Sequence, residues 1–124
     1  MPLNLYSAWT CFLLGALAGA LPGLFFHLED WLGGYGSWRR RMIRLGHIAF
    51  FGIGGLNLAF WASCRLLGIE SGVAVPSILL AVGAAAMPLV CYFSAWKEPF
   101  RNFFFIPAGS AIIAIILFLW KIVQ

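Results

Sequence analysis

Hydrophobic positions run in four long blocks, about Ala8 to Leu28, Ile43 to Cys64, Val73 to Trp96 and Phe103 to Trp120. They do not alternate with polar residues as in a half-buried strand. Each block has about the twenty residues a helix needs to cross the roughly 30 Å apolar core of a bilayer. Glu29, Asp30, Arg39, Arg40, Arg41, Arg44, Arg65, Glu70, Lys97, Glu98, Arg101 and Lys121 all lie outside these blocks or at their rims. Lipid offers the backbone no hydrogen bonds, so segments this long and continuous are expected to be helices. The pattern predicts an all-α integral membrane protein, a four-transmembrane-helix bundle forming a single domain over residues 1–124.

Composition removes the soluble alternatives. The chain is 63% hydrophobic and 10% charged, whereas soluble chains are about a quarter charged. That excludes a soluble enzyme, a disulfide-stapled secreted module and a disordered tail. The tryptophans support the same segmentation, because indole favours the boundary where its ring is apolar and its N–H is wet. Trp9, Trp31, Trp61, Trp96 and Trp120 lie at or near block ends, and Trp38 lies in the first loop.

Charge then orients the bundle. Of the eight Lys and Arg residues, Arg39, Arg40, Arg41, Arg44, Lys97 and Arg101 belong to the first and third connections, against Arg65 and Lys121 on the other side. The basic loops are expected to be cytoplasmic, with both termini on the non-cytoplasmic side of a bacterial cytoplasmic (inner) membrane. No basic run precedes the first block, so it reads poorly as a cleavable signal peptide. The net charge of +4 is explained by topology and anionic lipid, and no nucleic-acid partner is expected.

Small residues indicate how the helices pack. Gly15, Gly19 and Gly23 form a doubled small-xxx-small stripe, interrupted by Pro22, and His27 continues the stripe four residues on. Gly46, Gly52, Gly54 and Gly55 supply a second small surface, and Asn57 is an amide expected to bond across helices. Candidate chemistry gathers at His27 and His47, expected at similar depth on neighbouring helices near Glu29, Asp30 and Arg44. Three readings compete: interfacial histidines bonded to carbonyls or headgroups, a bis-histidine haem b, and a metal held with Glu29 or Asp30. Cys11 and Cys64 lie toward one face, as a disulfide pair or as apolar fillers. There is no Ser-His-Asp set, HExxH or phosphate loop, which removes the usual hydrolase and nucleotide chemistries.

The Gly-rich first helix ending in His27, the basic loop, Arg44-x-x-His47, Tyr92 and Ile106-Pro107-Ala108-Gly109-Ser110 together resemble the small four-helix YgdD-type membrane proteins. That resemblance implies the four-helix fold and no established activity. His47-x-x-x-x-Gly52 also looks like a haem-bearing helix of haem-copper oxidase-type proteins, which would favour haem at His47. Taken together, the sequence leads to a non-enzymatic membrane protein acting through helix packing, as a homo-oligomer or accessory subunit of a larger membrane complex. A haem b or metal-binding redox module and a small oligomeric transporter or channel are the alternatives.

Overall fold

The computed structural model describes residues 2–124. They form four helices, α1 (Pro2–Gly23), α2 (Trp38–Leu67), α3 (Ala74–Trp96) and α4 (Phe105–Val123), with short 3-10 turns at Trp31–Gly33 and Glu98–Phe103. All four are long and apolar enough to cross a membrane, and no strand occurs among the described residues. The helices run alternately up and down. One end collects the 24–37 and 97–104 connections and the arginine cluster, and the other collects the start of α1 and the loop after α2.

The first helix lies earlier in the chain than the apolar block suggests. It begins at Pro2, whose missing N–H costs nothing in a first turn, and ends at Gly23 instead of continuing to Leu28. Pro22 cannot donate within the ladder. Beyond it the chain closes i to i+3 turns, with Phe25 N bonding Pro22 O at 3.0 Å and Leu28 N bonding Phe25 O at 3.0 Å. Arg40, 1% exposed, then takes the carbonyls released there: Nη2 donates to Phe26 O at 2.9 Å and Nη1 to Glu29 O at 3.3 Å. Its guanidinium also lies over the Phe26 and Trp31 rings.

The second helix starts at Trp38, before the expected Ile43, because Ser37 caps it. The Ser37 hydroxyl accepts from Arg40 N at 3.2 Å and donates to Leu32 O at 2.8 Å. At 30 residues it is about 45 Å long, and it ends where Gly68 adopts φ 65. Both α1 and α3 pack along it, α4 packs on α3, and α1 meets α3 more sparingly. Phe60, Cys64, Val73, Leu80 and Ala114 join α2, α3 and α4, while Cys11, Ile53, Ala84 and Ala111 bring all four helices together.

A fully buried amide knot fixes the register of α1, α2 and α3. Asn4 Nδ2 donates to Asn57 Oδ1 at 2.8 Å and to Ser77 O at 3.0 Å, and the Ser77 hydroxyl donates to Asn4 Oδ1. Asn57 Nδ2 in turn donates to Ile53 O at 2.9 Å and Leu80 O at 3.0 Å. Each polar side-chain group of the knot therefore has a partner. Replacing Asn57 by leucine is expected to cost about 2 kcal/mol, since it strands the Asn4 amide in an apolar interior. Reversible unfolding in mixed detergent measures this, with exposed Leu66→Ala as the control; equal losses for the two variants would refute it.

Candidate functional site

The two histidines lie in different surroundings. His27 is exposed in the turns after α1, because the helix that was to carry it along the glycine stripe has already ended. His47 instead packs into α1. Its Nδ1 donates to Gly15 O at 2.8 Å, its ring meets Phe51 edge-on, and a methyl at Gly19 would collide with the ring. This leaves no porphyrin-sized gap between α1 and α2, so bis-histidine haem does not fit these residues. Among the described residues no group of three His, Cys, Asp or Glu side chains is placed to hold a metal ion.

The glycines divide by what surrounds them. A Cβ at Gly15 would lie 2.9 Å from Phe51 Cε2, at Gly46 2.8 Å from Tyr92 Cζ, and at Gly54 2.9 Å from Cys11 Cβ. Gly23, Gly52 and Gly55 have open space in that direction. Cys11, Cys64 and Cys91 are free and buried. Cys11 lies beside Gly54, and Cys64 is ten residues farther along α2, about 15 Å away, so these two thiols do not pair.

The arginines of the basic cluster differ in their surroundings. Arg40 is buried as described, Arg44 donates to Tyr35 O at 3.0 Å and lies over that ring, and Arg41 lies over Trp38. Trp38 Nε1 in turn donates to Ser94 O at 2.7 Å and ties the start of α2 to α3. Arg39 is exposed and lines a cavity of about 270 Å³ with Leu32, Ile43, Tyr92, Ala95 and Trp96.

A larger apolar crevice of about 460 Å³ opens between α1 and α3. Leu3, Thr10 and Leu14 form one wall, Ala81, Ala85 and Leu89 the other, and Phe50 the floor. These wall positions recur at helical spacing, so each wall is one face of its helix. Tyr92 lines both cavities, and its buried hydroxyl, lying over Gly46, has no hydrogen-bond partner. Neither histidine contributes to the lining of the crevice or of the Arg39 cavity.

The sequence gives no sign of this crevice as a site, because alanines spaced for a helix face read as packing surface. Asn4 is likewise missed, since it precedes the apolar block. Comparison with known protein families, curated proteins and solved structures finds no match to the chain.

Gly19→Ala is expected to cost about 1–3 kcal/mol through overpacking on the His47 ring, and His47→Ala in the same chain should remove most of that cost. Gly23→Ala should cost nothing measurable. Unfolding of the wild type, the two single variants and the double variant in detergent forms the cycle; a penalty at Gly19 that survives His47→Ala would contradict the contact. Purified protein is also expected to show no Soret band, which an absorbance spectrum checks directly.

Proposed function

We propose that the chain is a multi-pass protein of a bacterial cytoplasmic membrane that acts through helix packing, as a homo-oligomer or as an accessory subunit of a larger membrane complex. The observation that carries this is the unused small face of α2. Its Gly46 and Gly54 side is filled by Tyr92, Cys11 and Phe12. Turned away from that side, Gly52 and Gly55 have open space around them and Ala59 is exposed. Small residues at this spacing let a further helix approach closely, which is how helices associate where burial of apolar surface provides no drive.

Placement in the bilayer follows from the two ends of the bundle. Trp31, Trp38 and Trp96 cluster with Arg39, Arg41, Arg44 and Lys97 at one end, a composition suited to a cytoplasmic interface. Both ends of the chain then lie on the opposite side.

Gly55→Leu and Ala59→Leu are each expected to reduce the assembled mass measured by light scattering in mild detergent, while Gly23→Leu leaves it unchanged. A wild-type protein that is monomeric and free of partners would overturn the packing role. In intact cells, a cysteine at Ser37 should resist an impermeant maleimide and one at Ser71 should react. The reverse result would invert the topology.

A further inference from the structure

We propose that the α1/α3 crevice and the Arg39 cavity together hold one anionic phospholipid, with an acyl chain along the crevice and the phosphate against the Arg39 guanidinium. This rests on the membrane placement proposed above and is separate from the assembly face on α2.

Three observations converge on this occupant. The two cavities share Tyr92 and are lined by residues of the same two helices, α2 and α3. On α2, Arg39, Ile43 and Phe50 recur at helical spacing, and on α3 Ala81, Ala85, Leu89, Tyr92 and Trp96 do the same. Tyr92 is the wall common to both cavities. The crevice is also elongated, since Leu3 to Leu14 spans about 16 Å of helix rise, and its walls are almost wholly apolar, suited to a single chain.

Finally, charge and depth agree. The Arg39 cavity lies at the arginine end beside Trp96, at the level where a headgroup would sit beside an indole. Lys97 adds a second cation over the Trp96 ring, 4.7 Å from its centroid. Arg40, Arg41 and Arg44 are engaged with carbonyls or rings. Among the described residues Arg39 has no such partner in the structure, so its guanidinium is available to a phosphate, which it can bind in bidentate fashion. A neutral headgroup would fill the same space without that contact.

Native mass spectrometry of the full chain, released from detergent with phosphatidylglycerol or with phosphatidylcholine of identical chains, tests the proposal. Wild-type protein should retain phosphatidylglycerol about fivefold better, the effect of one interfacial charge. Arg39→Ala should remove that preference. Ala85→Phe, at an exposed wall position, should reduce retention of both lipids without altering the assembled mass, and Ala81→Leu should act likewise should the first variant fold poorly. The assembled mass, read in the same spectra, separates failure of the lipid site from failure of the packing role. Retention unchanged in Arg39→Ala, or unchanged in both wall variants, would overturn the proposal. Displacement by millimolar inorganic phosphate, or a disulfide between Ala85→Cys copies, would overturn it by showing a free-anion site or a protein interface instead.

Discussion

Helices as apolar as these gain little by meeting one another in an apolar solvent, so their association depends on how closely the backbones approach and on which polar groups bond across. That constraint accounts for the arrangement around α2. Gly15 and Gly19 on α1 receive Phe51 and His47 from α2, and Gly54 on α2 receives Cys11 and Phe12 from α1. The contact is reciprocal, each helix presenting bulk where the other has none. Gly46 does the same for Tyr92 of α3. The Asn4, Asn57 and Ser77 knot then selects one register, because sliding any of the three helices by a turn would leave an amide unpaired in an apolar surround.

Arg40 follows the same logic at the opposite end. A buried guanidinium is costly unless its donors are used, and here Nη1 and Nη2 bond two carbonyls that the interrupted end of α1 leaves free, Nε has no hydrogen-bond partner, and the group lies against the Phe26 and Trp31 rings. Pro22 and Arg40 are therefore complementary. The proline ends regular hydrogen bonding and the arginine supplies donors to the turns that follow. Removing the guanidinium would leave the Phe26 and Glu29 carbonyls without these donors.

Four helices were legible in the sequence because apolar runs of this length allow little else. The boundaries of α1 were not, and its displacement explains most of what was misread. Asn4 is polar, so hydropathy places it outside the helix, yet its partners lie 53 and 73 residues away and only the packed fold supplies them. Once α1 ends at Gly23, His27 falls in the exposed turns, while His47 packs against Gly15 and Gly19. The basic cluster was visible as charge, but its division into a buried Arg40, ring-bound Arg41 and Arg44 and an available Arg39 depends on the 24–37 turns. No single-residue signal encodes that division.

The crevice is a consequence of how α1 is held. At Asn4 it is tied to α3 through Ser77, but at Gly15 and Gly19 it is drawn onto α2, with the Phe50 side chain between it and α3. The small side chains of Ala81 and Ala85 therefore face a gap that α1 does not fill. In water such an apolar gap would favour collapse. In a bilayer a hydrocarbon chain would fill it without exposing apolar surface or stranding a polar group. Moving α1 onto α3 to close the gap would pull it off α2 or break the Asn4 knot, so the opening is built into the packing that holds the bundle together.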